Sequence, residues 1–106
     1  MGVNQRLIEL GIQLPNAPEP AGLYVPCCRL GNVLYTSGQD CRINGKLAYE
    51  GKLGRDLSVD EGYEAARLTM LNCLAVIEQE LGDLNRVKKI IKLLSLLNRV
   101  DNNDWI

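Results

Sequence analysis

The chain contains no histidine among its 106 residues. This absence excludes the Ser-His-Asp and Cys-His pairs of nucleophilic enzymes, and it excludes zinc sites that use imidazole ligands. It also removes the side chain that most often acts as a general base near neutral pH. Any chemistry of this protein must therefore use other groups.

A surplus of charge of either sign is also missing. Twelve lysines and arginines face thirteen aspartates and glutamates, which leaves a net charge of -1. The only basic cluster is Arg86, Lys88, Lys89 and Lys92. No aromatic residues interleave with this cluster to stack on bases, so it is better interpreted as a solvated rim. We therefore expect no nucleic-acid partner.

Long apolar runs are absent, because charged residues interrupt each of them before the ~18 residues that a membrane helix needs. The N-terminus also lacks the basic-then-apolar pattern of a signal segment. The sequence therefore predicts no membrane association and a cytoplasmic location.

The four cysteines form no Cys-x-x-Cys pair. Cys27 and Cys28 are adjacent, so on a strand they would point to opposite faces and would not share a metal ion. Secreted disulfide scaffolds have denser and more regular cysteines. We expect reduced thiols, no metal site and no cofactor.

The composition that remains is that of one small globular domain, with 46% hydrophobic and 24% charged residues. Residues 4–10 predict a short amphipathic helix that Gly11 ends. Residues 13–22 contain three prolines and predict a connecting arm without regular structure.

Two short strands are predicted next, over residues 23–30 and 33–37. Gly31-Asn32 suits the tight turn of a hairpin. Pro26 lacks an N–H group, which places it at an edge or a bulge. Residues 38–57 predict a long loop with a minor hairpin at Asn44-Gly45. Loops of this length often belong to a site or an interface, although a merely solvated loop is an equal alternative.

A long helix is predicted from Ser58 to Leu81. Ser58 and Glu61 form the pattern of a capping box, and Gly82 supplies the stop. One apolar face recurs at helical spacing: Tyr63, Ala66, Met70, Cys73, Leu74, Ile77 and Leu81. A second apolar flank comprises Leu68, Leu71, Ala75 and Val76. Such a helix must cover a sheet or meet another chain.

After a turn at 82–85, residues 87–94 fit either a strand or a short helix. The strand is favoured by their length and their β-branched side chains. Residues 98–104 are polar and turn-rich. The predicted strands are too few to cover a helix that is apolar on two flanks. Apolar surface and sheet edges therefore stay uncovered, so the chain either oligomerises or lacks a piece.

Three motifs in combination resemble the RidA/YjgF family, in its branch described as YjgF/chorismate-mutase-like endoribonucleases. They are the run YTSGQ at 35–39, the run GRDLS at 54–58 and LGDLNRV at 81–87. The resemblance covers about residues 7–94 of a single domain over 1–106, and residues 95–106 form a divergent tail.

The resemblance implies an α+β, chorismate-mutase-like (YjgF-like) fold, with a small mixed sheet covered by a long helix and a second α/β portion missing. It also implies a homotrimer with clefts between subunits. In the best-studied branch these clefts hydrolyse enamines and imines, such as 2-aminoacrylate, to 2-oxo acids and ammonia. A small 2-imino or 2-oxo acid is therefore the expected ligand. A metabolite-binding trimer without turnover and an endoribonuclease that inhibits translation are the alternatives.

The resemblance also carries the candidate binding residues. Tyr24 matches the family's tyrosine in the first strand, Ser37 and Gly38 match the Ser-Gly pair that lines the cleft, and Gln39 follows in the same motif. A hydroxyl group and backbone amides at a strand end can hold a small carboxylate or orient a water. Water addition to a protonated imine needs placed charges more than a strong nucleophile, so a site without histidine is chemically acceptable.

The sequence departs from the family in one respect. The family's cleft arginine and a downstream glutamate belong to later segments that this chain does not contain, and we expect a truncated or frame-shifted coding sequence. No catalytic residue is therefore assigned, and hydrolase activity stays an open question. Arg29 and Arg55 do not take the missing role, because single arginines of this kind are more often solvated or paired with a carboxylate such as Asp56.

Overall fold

The computed structural model describes residues 2–100. Its elements in chain order are helix α1 (Val3–Glu9), strands β1 (Cys27–Leu30), β2 (Val33–Thr36), β3 (Arg42–Ile43) and β4 (Lys46–Leu47), helix α2 (Val59–Leu81) and a 3-10 turn (Leu84–Arg86). The predicted α+β class is confirmed. Within the described residues the strands pair as two separate antiparallel hairpins, without joining into one mixed sheet.

The first hairpin has the predicted turn but a shorter first strand. Leu30 pairs with Val33 across Gly31-Asn32, and Gly31 has the positive φ of +61° that a tight turn requires. The chain bends over residues 21–24, so the strand predicted from residue 23 begins only at Cys27. Pro26 has no N–H group to donate to a ladder, but its carbonyl accepts a bond from the N–H of Ser37 at 2.9 Å.

The minor hairpin predicted inside the long loop is also present. Asn44 and Gly45 both have positive φ, 53° and 82°, which is the geometry of a two-residue turn between right-twisted strands. Arg42 pairs with Leu47 and Ile43 with Lys46. The hairpin holds Arg42 at the beginning of β3, next to the end of the candidate motif.

Helix α2 begins and ends where the sequence predicts. The Ser58 hydroxyl accepts from the Glu61 N–H at 3.1 Å, and the Glu61 carboxylate accepts from the Ser58 N–H at 3.0 Å. Both orphan donors of the capping box are thus satisfied. Gly82 ends the helix in the left-handed conformation, with φ of 80°.

The buried side of α2 differs from the predicted major face. Asn72, Ala75 and Val76 are buried, whereas Tyr63 is 74% exposed. The hairpins decide this, because β1, β2 and β3 all contact the helix. The flank predicted as secondary is therefore the one that they cover.

The N-terminal helix is confirmed and docks on the turn that follows α2. The Val3 N–H donates to the Asn85 side chain, and the Asn4 amide donates to Asp83 at 3.4 Å. Leu84 is only 1% exposed beneath this contact. The predicted turn over 82–85 thus joins the two helices.

The strand or helix predicted over residues 87–94 does not form. Residues 87–98 belong to no helix or strand, and Ile91 is 72% exposed. A strand needs a neighbour to bond with, and none of the described strands lies beside this segment. Instead the chain meets Leu53, whose N–H donates to the Asn98 carbonyl at 3.1 Å and whose carbonyl accepts from the Val100 N–H at 3.0 Å.

These contacts correct the prediction of a polar turn region over 98–104 for its first three residues. The rest of that region, and the end of the predicted divergent tail, lie outside the described residues. Neither of the two α-helices in the described range is long and apolar enough to cross a membrane.

Candidate functional site

One cleft brings together the four residues predicted to bind the ligand. It lies between the proline-rich arm and the chain that leaves β2, and Tyr24, Ser37, Gly38 and Gln39 all line it. The other lining residues are Pro18, Glu19, Pro20, Ala21, Pro26, Asp40 and Arg42. The two halves of the predicted site, separated by the first hairpin in sequence, are thus neighbours in space.

Ser37 is held by the chain segment opposite. Its N–H and its hydroxyl both donate to the Pro26 carbonyl, at 2.9 and 3.1 Å. A serine hydroxyl has one hydrogen to donate and two lone pairs that accept. In this geometry the Ser37 oxygen is suited to accept a hydrogen bond from a ligand N–H or a water, rather than to donate one to a carboxylate.

Tyr24 does not lie in a strand, contrary to the prediction. It sits in the bend before β1, is 48% exposed, and its phenolic oxygen accepts from the Ala21 N–H at 3.1 Å. Pro26 and the bend prevent Tyr24 from pairing with a neighbouring strand. Its hydrogen bond with Ala21 instead directs the ring toward the proline-rich arm. The phenolic hydrogen is not used in this bond, so it can donate to a molecule in the cleft.

Gly38 leaves open space in the wall of the cleft. A methyl group placed on it would meet no atom within 4 Å, and its φ is not in the left-handed region. The glycine is therefore not required by the backbone conformation of this chain. The missing side chain leaves the main chain between Ser37 and Gln39 accessible from the cleft.

Arg42 is one of three charged cleft residues that the sequence interpretation missed, together with Glu19 and Asp40. Its Nε donates to Asp40 at 2.9 Å and its Nη1 donates to the Gly45 carbonyl at 3.2 Å. Because a guanidinium carries five N–H donors, these two bonds leave others for an anion. The available signal was alternation: Asp40 and Arg42 flank Cys41, which is 8% exposed, so the two charged side chains share the opposite face.

The ionisable groups around the cleft are mixed in sign. Glu19 and Asp40 carry negative charge and Arg42 carries positive charge. Asp40 is neutralised locally by its ion pair with Arg42, at 2.9 Å, while Glu19 contributes a further negative potential. This arrangement favours a ligand that has both a carboxylate and a cationic nitrogen over a simple anion.

The cleft of one chain is small. Its volume is about 30 Å³, whereas ligand pockets usually measure about 300–1,000 Å³. The cleft of a single chain therefore has room for little more than a water molecule. To enclose a small ligand it needs a further wall from outside this chain.

The other arginines considered from the sequence lie in ion pairs, as expected. Arg29 contacts Glu80 at 3.4 Å, joining β1 to the end of α2. Arg55 contacts Asp56 at 2.8 Å, and this guanidinium holds the pKa of the Asp56 carboxyl below its usual value. Neither arginine lines the cleft.

The cysteines are free thiols and none lines the cleft. Burial raises the pKa of the Cys73 thiol, and burial together with the Glu80 charge raises the pKa of Cys27. A raised pKa lowers the thiolate fraction at neutral pH, which is the opposite of what a nucleophilic cysteine needs.

The chain is similar in sequence to a known family and to a curated protein. The family model described as "YjgF/chorismate_mutase-like, putative endoribonuclease" matches residues 4–103. Protein TCP17 of Trypanosoma cruzi is 40% identical over 96 residues, which cover 91% of this chain and 60% of that protein.

Two crystal structures are similar in fold. One is described as a "putative endoribonuclease" from Shewanella oneidensis, with 42% identity, a TM-score of 0.80 and coverage of 85% of this chain and 60% of its own. The other is a protein of unknown function from Agrobacterium tumefaciens, with 43% identity, a TM-score of 0.64 and coverage of 76% and 48%. The chain thus spans about 60% of the length of the curated relative that it matches.

Proposed function

This chain belongs to the YjgF/chorismate-mutase-like family, and from that premise we propose that its cleft hydrolyses small, reactive 2-imino acids to 2-oxo acids and ammonia. The observation that carries the proposal is the meeting of Tyr24 with Ser37, Gly38 and Gln39 in one cleft. Arg42 adds a cation to the same wall.

Each end of a 2-imino acid has a suitable partner. The carboxylate is placed on the N–H donors of Arg42 that Asp40 and Gly45 leave over, where a charge-assisted bond is strongest. The iminium N–H is placed on the Ser37 oxygen, whose own hydrogen is used by Pro26. Glu19 stabilises the positive charge of the iminium.

The chemistry asks little more of the protein than this placement. A water oxygen bonds to the electrophilic carbon of the protonated imine and one of its protons passes to the nitrogen. The carbinolamine, whose nitrogen is now an ammonium group, then collapses: the C–N bond breaks with its electron pair leaving on ammonia, the hydroxyl proton passes to solvent, and the carbonyl forms. Tyr24, whose oxygen already accepts from Ala21, orients the attacking water with its hydroxyl proton.

The small volume of the cleft supports a second part of the proposal. In our proposal the protein assembles as a homotrimer, and a neighbouring subunit supplies the wall that closes the cleft around the substrate. The cytoplasmic location stays a prediction, consistent with substrates that arise in amino-acid metabolism.

The activity is tested by generating 2-aminoacrylate with a serine or cysteine lyase and following ammonia release against the uncatalysed rate. We expect Ser37→Ala and Arg42→Gln to lower kcat/KM by about tenfold or more, since each removes one directed bond to the substrate. Arg67→Gln, which lies outside the cleft and outside the segment after the 3-10 turn, serves as the matched control. A wild-type protein that does not exceed the uncatalysed rate would refute the proposal.

Endoribonuclease activity is the second candidate, because the similar Shewanella structure carries that description. The positions of the basic side chains do not favour this activity. Lys88 and Lys89 border a separate groove and do not line the cleft, so they would not hold RNA there. RNA cleavage that exceeds a mock-purified control and is lost in Ser37→Ala would favour this candidate over imine hydrolysis.

The same protein preparation distinguishes catalysis from binding without turnover. A 2-oxo acid that raises the melting temperature of a protein with no hydrolysis above background would identify a metabolite-binding protein.

A further inference from the structure

Asn72 is the one buried polar side chain among the residues that the structure describes, with 2% of its surface exposed. It lies in the middle of α2, on the side covered by the hairpins. Burying an amide costs free energy unless its donors and acceptors are bonded. An apolar residue would be the ordinary choice at this place, so the bonds of Asn72 need an explanation.

Both of its N–H groups bond to the wall of the cleft. The Asn72 Nδ2 donates to the Asp40 carbonyl and to the Arg42 carbonyl, each at 2.9 Å. Asp40 and Arg42 line the cleft, and they are two residues apart. The chain bends at Cys41, between these two residues, and both carbonyl oxygens lie within bonding distance of the same nitrogen, so one NH₂ group bridges them.

The residue between them is fixed independently. Cys41 is 8% exposed, and its thiol donates to the Tyr49 carbonyl at 3.4 Å. Its own carbonyl accepts from the Ala48 N–H at 2.9 Å. The segment 40–42 is therefore held from two sides, by the β3–β4 hairpin and by the amide of Asn72.

We propose that Asn72 is a positioning residue of the cleft. By bridging the two carbonyls from behind, it sets the orientation of the 40–42 wall, so that the Arg42 guanidinium faces the same space as Ser37 and Gln39. The effect of Asn72 on substrate binding rests on the function proposed above, whereas its effect on the orientation of the 40–42 wall does not.

Two side chains of similar size cannot replace the NH₂ group of Asn72. Aspartate has the same shape but no N–H groups at neutral pH, and its charge would face two carbonyl oxygens. Leucine is of similar size but leaves both carbonyls without a donor. Neither variant can bridge Asp40 and Arg42.

The test compares Asn72→Asp and Asn72→Leu with Val76→Ala. Val76 lies one turn further along α2, is 1% exposed, and has an apolar side chain that cannot hydrogen-bond to the wall, so its truncation destabilises the helix packing without affecting the carbonyls. All proteins are measured at a temperature where each is fully folded. Amide hydrogen exchange is followed at residues 38–43 and, for reference, along α2.

We expect exchange at 38–43 to accelerate at least about tenfold relative to α2 in both Asn72 variants, because a broken bridge costs that order of magnitude. Val76→Ala is expected to change the two regions together. Equal acceleration in all three variants, or none at 38–43 in the Asn72 variants, would overturn the positioning role.

Catalysis provides the second readout. The Asn72 variants are expected to raise KM for the imino acid about tenfold or more, with Val76→Ala within about twofold of wild type, since the loss lies in the orientation of Arg42. A pH profile adds a specific signature: acidification restores one O–H donor to the Asn72→Asp variant and should partly restore its KM. A wild-type protein without turnover would refute the proposed function, while the exchange result would still decide the role of Asn72.

Discussion

Glu19 is the residue whose charge bears most directly on what the cleft accepts. It lies in the proline-rich arm, is exposed, and lines the cleft opposite a wall that already pairs Asp40 with Arg42. If the cleft binds the proposed substrate, a negative potential at this place opposes a free 2-oxo acid, which is an anion, relative to the zwitterionic imino acid. In the proposed function the arm thereby contributes to selectivity as well as to shape.

Replacement of Glu19 by Gln should therefore tighten the binding of a 2-oxo acid. The expected gain is about two- to fivefold at low ionic strength and less at high salt, because an exposed charge acts through screened electrostatics. Titration calorimetry at two salt concentrations measures it. Glu9→Gln in α1, outside the cleft, controls for net charge, and an equal gain in that variant would contradict a local role of Glu19.

At the residue scale, the sequence indicated which residues lie side by side where a motif is local, and it missed contacts whose partners are distant in sequence. Whether the four residues bind a ligand stays a prediction. Ser37, Gly38 and Gln39 are consecutive, so they reach the cleft together. Asn72 bonds to carbonyls more than 25 residues away in sequence, and no spacing rule connects a helix amide to them. Arg42 was missed because its face depends on the burial of its neighbour.

At the scale of elements, the capping box of α2 is the strongest local signal in the chain. Ser58→Ala removes the acceptor for the Glu61 N–H and is expected to lower the free energy of unfolding by about 1 kcal/mol. Urea unfolding followed by circular dichroism measures the change. Asn16→Ala, at an exposed position outside any element, should alter it by less than about 0.5 kcal/mol. Equal losses in both variants would contradict the capping role.

The loop before α2 predicts a dependence of stability on pH. The Asp56 carboxylate accepts from the Arg55 guanidinium at 2.8 Å and from the Lys52 N–H at 2.9 Å, and these bonds lower its pKa from the usual 3.8. A lowered pKa means that the contribution is fully present above 3.8 and is lost as the pH falls through the folded-state value.

Asp56→Asn should accordingly be less stable than wild type at neutral pH, and the difference should shrink as the solution is acidified below the usual pKa of aspartate. Melting temperatures of both proteins across the acidic range measure this difference. A gap that stays constant with pH would show that the carboxylate charge does not stabilise the loop.

The elements also show where propensity was overruled by contacts. Residues 87–94 have the β-branched composition of a strand, but strands require partners, and the described strands offer none there. The helix α2 formed as predicted, yet its buried side followed the position of the hairpins, because a helix that is apolar on two flanks can be covered on either one.

At the scale of the whole molecule, the exposed apolar residues after the 3-10 turn need a cover. Ile91 is 72% exposed and Leu96 is 90% exposed, within a segment rich in further exposed leucines. Apolar surface of this kind in one continuous stretch usually marks an interface. This agrees with the proposed association of subunits.

The solution mass tests that association. Light scattering after gel filtration should find about three times the single-chain mass of 11.8 kDa for the wild type, if the proposed trimer forms. The double variant Ile91→Lys, Leu96→Lys should shift the mass toward a single chain, while Ile8→Lys, at a residue that is 77% exposed in α1, should not. A wild-type mass of 11.8 kDa at every concentration would refute the assembly.

What the sequence determined by itself was local: the helix ends at Ser58 and Gly82, the turns at Gly31 and Asn44-Gly45, and the family motif around Ser37. Each of these depends on residues within one turn of the chain, where caps and positive φ angles act. The tertiary structure alone decided which flank of α2 is buried, that Arg42 shares the cleft, and that Asn72 supports its wall. These depend on how separate segments pack, and packing is a property of surfaces that no short stretch of sequence contains.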